Sequence, residues 1–267
     1  MNAAPQRIGI LGPGRLGRSL ERLLTDSGAQ IVLLGRGAAA AGETEGLDLI
    51  VLTVPDGAIA TVAREVPAGP VVLHCSGATD LSPLAGHRAV GSMHPLMTFP
   101  GPERGLPDLR DVPAAVDGDA AGLAHAEWLA NALGMRAFRV SGDRRLYHAA
   151  AVLAGNGATI LLGEACRALV AAGVPAADAA GLLQPLVRRS IDNAVPDPAA
   201  ALTGPVARGD VEVLAGHDAA LRQAGLSELA DLHRSLAALA AAWGRNDGWQ
   251  EGERSPPPTS TKDDSTR

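Results

Sequence analysis

The stretch GILGPGRLG, residues 9–17, constrains this chain more than any other. It follows an apolar run, RIGIL (7–11), and leads into Leu16, Leu20, Leu23 and Leu24 at helical spacing. Strand, glycine turn and helix in that order form the setting in which G-x-G-x-x-G cradles a dinucleotide. Gly12 permits the tight turn, Gly14 lets a pyrophosphate approach the backbone, and Gly17 lets helix and strand pack closely. Pro13, Arg15 and Leu16 complete the loop. The helix N-terminus adds N–H donors and the positive end of a dipole. The plain alternative is a glycine-rich turn that holds no ligand.

Further apolar runs follow at 31–34, 48–54, 71–75, 89–93, 114–116 and 137–140, most of them continuous, as in strands covered on both faces. Their alternation with helical stretches predicts an α/β Rossmann-like domain, doubly wound around a mostly parallel sheet. The pattern changes near Ser141-Gly142. One long Ala/Leu-rich helix is expected over 143–173, a second after Pro175, and two more around 205–224 and 226–243. The expected domains are therefore 1–142, dinucleotide-binding, and 143–243, all-α, with a polar tail at 244–267 whose composition predicts disorder.

The end of the second strand discriminates between cofactors. A site for NAD places Asp or Glu there to hold the ribose 2′-OH. This chain has Leu34-Gly35-Arg36. Arg36 can pair with a 2′-phosphate through its planar fork, so NADP(H) is the expected cofactor; otherwise Arg36 is a solvated surface residue. Ligands sit beyond the carboxyl ends of the strands. Val54 and Pro55 are thus candidates to flank the nicotinamide, and Ser76 to bond the ribose or carboxamide, unless both segments are ordinary loop starts. Cys75 reads as a small buried hydrophobe, since no neighbour in sequence would stabilise a thiolate.

Composition narrows the partners. The 267 residues carry a formal net charge of −6 and 2% aromatic residues, so neither a basic patch nor stacking surface invites nucleic acid. The two cysteines form no metal-ligand pattern, and no metal is expected. The first residues lack a secretory pattern. The longest apolar run, Ala149–Gly163, falls short of the roughly 20 residues of a membrane span and reads as a buried helix. A cytoplasmic protein with no membrane partner is the expectation. Lys262, in the tail, is the only lysine, which removes lysine from every catalytic role.

Four segments then fall in a telling order: HCSG (74–77), MHPLMTF (93–99), LYHAAAVLAGN (146–156) and LTGPVARGD (202–210). With the glycine turn they resemble a bacterial Rossmann-like family whose C-terminal helical domain is of unknown function (family 2520). The likeness runs over about residues 7–243. More distantly the chain is similar to ketopantoate reductases, pyrroline-carboxylate reductases and 6-phosphogluconate-type β-hydroxyacid dehydrogenases. The resemblance implies a helical domain of the 6-phosphogluconate-dehydrogenase type and a homodimer built through it. It also implies an NADP-dependent oxidoreductase acting on a small carboxylate substrate. A 2-oxo acid is the leading expectation and ketopantoate the leading substrate. An imine reductase and a non-catalytic NADP(H)-binding sensor are the alternatives.

Such a reduction needs a proton donor, a group to hold the carbonyl oxygen and a cation for the carboxylate. In the similar dehydrogenases a lysine near the start of the long helix is the acid, with an asparagine one turn later. Here that helix offers His148 and Asn156, eight residues and roughly 80° apart on an ideal helix. His148 is the expected acid, because histidine titrates near working pH; the alternative is a satisfied histidine at the domain seam. Asn156 is expected to hold the oxygen or to bond a nearby carbonyl. Tyr147 points nearly opposite Asn156 and is set aside. His94 either polarises the substrate or pins the 94–99 loop. Arg208 is expected to clamp the carboxylate, with Asp210 orienting it and Thr203 and Pro205 starting its helix; the alternative is a structural ion pair. An adhesion role for the Arg-Gly-Asp tripeptide finds no support elsewhere in the sequence.

Overall fold

The computed structural model describes residues 4–243, so the tail at 244–267 and its Lys262 lie outside the described residues. The described residues form two compact units that divide after Ala158.

The first unit is built on one sheet of seven strands: β1 (Arg7–Leu11), β2 (Gln30–Leu34), β3 (Leu49–Leu52), β4 (Val71–His74), β5 (Val90–Pro95), β6 (Pro113–Gly118) and β7 (Arg136–Phe138). Their order is β2-β1-β3-β4-β5-β6-β7. Every neighbouring pair is parallel except β5 with β6. That exception has a local cause. Parallel neighbours need a long crossover, usually helical. Between β5 and β6 the chain forms only the short 3₁₀ turn Pro102–Arg104, so it returns antiparallel. The remaining connections include α1 (Arg15–Leu23), α2 (Asp56–Glu65) and α3 (Ala120–Ala132).

Side chains alternate across each strand, and both faces are buried. Ile8, Ile10, Leu49, Val51, Leu73 and Met93 pack with Leu20 of α1 and Leu129 of α3. Leu11, Leu34, Ile50, Leu52 and Val72 pack with Ile59 and Ala63 of α2. The continuous apolar runs of the sequence therefore supply two half-cores, one to each helical layer.

The long helix begins at α4 (Arg144–Val152), whose N-cap Asp143 accepts a hydrogen bond from the Arg145 N–H. It passes through a π turn, Leu153–Gly157, and continues as α5 (Ala158–Ala171). The change to an all-helical chain therefore starts where the sequence shifts, near Gly142, while the compact units divide after Ala158. Among the described residues, Arg144–Ala171 is the one helix long and apolar enough to cross a membrane by length and composition. It is not the short buried helix read from Ala149–Gly163. None of its most apolar stretch is buried in this chain. Glu164 does not end it either, because that carboxylate pairs with Arg167 on the helix surface at 2.7 Å.

The second unit continues with α6 (Ala176–Ala194), α7 (Gly204–Arg208), α8 (Val211–Gln223) and α9 (Ser227–Trp243). The single stretch expected at 205–224 is two helices. Gly209 takes a left-handed conformation (φ +70°) that ends α7, and α8 restarts two residues later. Helices α8 and α9 are joined by Arg222, which bonds both Asp218 and Asp231, and by Arg234, which bonds Asp218 at 2.8 Å.

Candidate functional site

The glycine turn closes at the carboxyl end of β1. The Gly12 N–H donates to the Leu34 carbonyl at 3.0 Å. Its φ is +121°, and a Cβ there would lie 2.8 Å from the Thr53 carbonyl oxygen. A Cβ on Gly17 would collide with the Gly12 carbonyl, so only glycine lets α1 sit this tightly on the turn. The Thr53 hydroxyl fastens the turn by reaching the Gly12 carbonyl at 2.8 Å. Gly14 differs: a Cβ there would meet nothing within 4 Å. It borders a cavity of about 550 Å³ lined also by Gly12, Pro13, Arg36, Val54 and Pro55. Arg15, Leu16 and Gly17 are not among the lining residues. Leu16 packs against the core instead, and Gly17 serves the close approach of helix to turn. Arg36 is exposed, with no ion-pair partner among the described residues. The open Gly14, the crowded Gly12 and Gly17 and the available guanidinium fit a dinucleotide with a 2′-phosphate. Glu65 of α2 lines the same cavity.

At the end of β4 the sequence places His74, Cys75 and Ser76. His74 is fully buried. It receives the Ser76 N–H at Nδ1 (3.2 Å), and its Nε2 faces the Asp80 carbonyl at 3.0 Å. An N–H can only donate and a carbonyl can only accept, so the ring is neutral with its proton on Nε2. Burial lowers its pKa to about 4. Burial likewise pushes the Cys75 thiol up to about 12, which leaves it inert. Ser76, the expected ribose or carboxamide partner, is engaged within its own turn. Its hydroxyl bonds the Thr79 hydroxyl at 2.9 Å and accepts the Thr79 N–H at 3.0 Å, shaping the 76–79 turn.

A second cavity, of about 720 Å³, opens where the end of β5 meets α4. His94, Tyr147, His148 and Asn156 all line it, with Met97 and Val152 among its apolar walls. His94 Nδ1 and the Tyr147 hydroxyl are hydrogen-bonded at 2.7 Å. The His94 ring stands edge-on to Tyr147 and to His148, with centroids 5.5 and 5.7 Å away. A Cβ on Gly77 would lie 2.6 Å from His148 Cδ2 and 2.9 Å from His94 Nε2, so only glycine lets the β4 loop meet both imidazoles. Burial, reinforced by the nearby His148, lowers the His94 pKa to about 4. Burial raises the Tyr147 pKa, and the charge of Arg144 opposes the rise.

Tyr147 thus joins the group from which helical geometry excluded it. The π turn contributes to this, since i→i+5 closure turns the chain less per residue than an α-helix. Asn156 lies within that turn, which alters its offset from His148 and Tyr147. The phenol also reaches across to β5. Arg144 had no signal in the sequence beyond its place after the helix cap. It is buried (9% exposed), donates from Nη2 to the Ser76 carbonyl at 3.0 Å and leaves Nε without a partner.

Arg208 and Asp210 belong to the second unit and line none of these cavities. The expected contact between them is present, Nη2 to Oδ2 at 2.7 Å, but Arg208 is 64% exposed. Thr203 holds the N-cap position of α7 without a side-chain hydrogen bond, and Pro205 falls in the first turn.

Comparison with known proteins agrees with this architecture. A protein from Bacteroides fragilis ascribed as an NADP oxidoreductase superposes with a TM-score of 0.74 at 21% identity, over 89% of this chain and 98% of its own. Pyrroline-5-carboxylate reductase from Streptococcus pyogenes matches with a TM-score of 0.60 at 17% identity, over 90% and 99%. A reductive aminase from Aspergillus terreus, solved with NADPH and ethyl-5-oxohexanoate, matches at 0.66 and 18%, over 90% and 94%. A search of curated proteins found no match. The chain shares its fold, a Rossmann-like α/β sheet followed by helices, with these proteins, and its residues 112–240 match the model of the domain of unknown function DUF2520.

Proposed function

We propose that the protein is an NADP(H)-dependent oxidoreductase that reduces a small 2-oxo acid, with ketopantoate the first substrate to test. The observation that carries this reading is the convergence of His94, Tyr147, His148 and Asn156 on one cavity at the carboxyl edge of the sheet that carries the glycine turn. Ligands of open α/β sheets bind at that edge. Gly12, Pro13, Gly14, Val54 and Pro55 would hold the dinucleotide, and Arg36 its 2′-phosphate. Reduced nicotinamide, when bound, supplies hydride. The chain supplies the rest: imidazoles that carry a transferable proton, the Asn156 amide to hold an oxygen, and apolar walls that exclude water. Substituting Asn156→Ala or His148→Ala is expected to lower kcat while NADPH affinity stays within about twofold. Unchanged turnover in both variants contradicts the assignment.

One observation favours a second substrate class. The residues lining the second cavity include imidazole, phenol and amide groups but no guanidinium or ammonium. A neutral C=N or C=O group on an apolar body suits such walls. The reductive aminase and the pyrroline-carboxylate reductase share the fold, so an imine belongs in the same assay. We further infer a homodimer formed through the helical unit, because Leu182, Leu186 and Ile191 of α6, Val195 at its C-cap and Ile160 of α5 stand exposed; a cytoplasmic location is proposed with it.

A further inference from the structure

We propose that Tyr147 is the terminal proton donor of a relay running from its hydroxyl through His94 to the substrate, and that Arg144 is the counter-charge awaiting the tyrosinate. The proposal rests on the reductase reading and names the residues that would move its proton.

Three features of the structure support it. The Tyr147 hydroxyl and His94 Nδ1 are already joined at 2.7 Å. His94 Nε2, on the far side of the ring, has no hydrogen-bond partner among the described residues, and its edge of the ring packs close to Gly77. His94 also lines the cavity, which brings its ring within reach of a substrate oxygen or nitrogen held there. The third feature is Arg144. A buried guanidinium without a carboxylate is costly, and its Nε lacks any partner. It bonds one backbone carbonyl and no acid, although it carries five N–H donors. It stands one turn before His148 on the helix that carries Tyr147. A negative charge that forms on Tyr147 during turnover gives this guanidinium a counter-ion beyond its one carbonyl.

The steps balance. The substrate carbon gains hydride from the reduced nicotinamide, and the pair of the C=O or C=N bond moves to the heteroatom. That heteroatom takes the Nε2 proton of His94. The vacated imidazole is made neutral again as Nδ1 takes the Tyr147 proton. The tyrosinate, three residues after Arg144 on α4, is opposed by the guanidinium charge until Nδ1 returns the proton to it and Nε2 takes one from water. His148, beside His94, stays a donor to the same heteroatom. The charged and titratable groups acting on His94 are His148 and Arg144 of α4, Asp56 of α2 and His74 of β4. Arg144 is the charge acting on Tyr147.

Tyr147 is the only tyrosine in the chain. The ultraviolet band of tyrosinate therefore reports this one hydroxyl, in cofactor-free protein and without turnover. In an alkaline titration, Arg144→Gln is expected to raise the ionisation midpoint by about one pH unit or more. Arg144→Lys keeps the charge and is expected to hold the midpoint near wild type. Tyr147→Phe keeps the ring and its packing on Phe138. It is expected to lower kcat about 100-fold, with the NADPH Kd within about twofold. A midpoint unmoved in Arg144→Gln, or wild-type kcat in Tyr147→Phe, overturns the proposal. Absence of turnover in the wild type, together with a shifted midpoint, refutes the reductase reading and the relay's last step while leaving the tyrosinate–guanidinium pair. An unshifted midpoint removes that pair whatever turnover shows.

Discussion

Gly77 sets how closely two imidazoles approach the end of β4. A methyl group there meets His148 at 2.6 Å and His94 at 2.9 Å, so one ring must move. Gly77→Ala is expected to cost about 1–3 kcal/mol of stability, as overpacking does, and to reduce turnover by more than that loss explains. Thermal melts beside kcat measure the two separately. Arg36 is tested by cofactor choice. Hydrogen bonds to charged groups contribute about 1.5–3 kcal/mol, so Arg36→Ala is expected to weaken NADPH about 10- to 100-fold. NADH affinity should barely change; equal losses for both cofactors contradict the 2′-phosphate assignment. His74 predicts an acid limit. Its folded pKa, about 4, lies below its ordinary value near 6.5, so between these values the unfolded chain binds the extra proton. Stability is then fully present above about pH 6.5 and declines as pH falls toward 4, by on the order of 3 kcal/mol from this residue. His74→Gln should flatten that slope in melts taken across the window.

At the scale of elements, the strands were the most legible part of the chain. All seven apolar runs became strands, because a strand covered on both faces must be apolar at nearly every position. The reversal of β6 was not legible. It depends on the 96–112 connection forming no helix long enough for a crossover, and nothing in the β6 residues records that. The π turn escaped for a different reason. Counting at 100° per residue assumes an unbroken α-helix, and LAGNG carries no residue that announces i→i+5 closure. His94 and Asn156 were therefore found as residues, while the companionship of Tyr147 was lost to the geometry. Removing one residue from the turn tests its purpose. Deleting Ala154 is expected to restore a continuous α-helix, with the helical circular dichroism signal kept and turnover lost as Asn156 leaves its place beside the cavity. Turnover at the wild-type level after that deletion shows that the turn does not position Asn156.

For the whole molecule, the exposed apolar side chains of the helices are the feature that bears on assembly. Leu153 is 73% exposed and Val195 78%, and neither belongs to a core within the chain. The sequence could mark these helices as apolar, but it could not say which of their apolar side chains the chain leaves exposed. A homodimer predicts twice the chain mass in sedimentation, and a shift toward monomer when Leu182 and Leu186 are both changed to Glu. One measurement reaches the chemistry of the site directly. Purified protein is given ketopantoate or 1-pyrroline-5-carboxylate, and NADPH absorbance is followed beside an NADH control. The account predicts consumption of NADPH with at least one of the two substrates and much slower consumption of NADH. Binding of NADPH with no turnover on either substrate, or equal use of both cofactors, contradicts it.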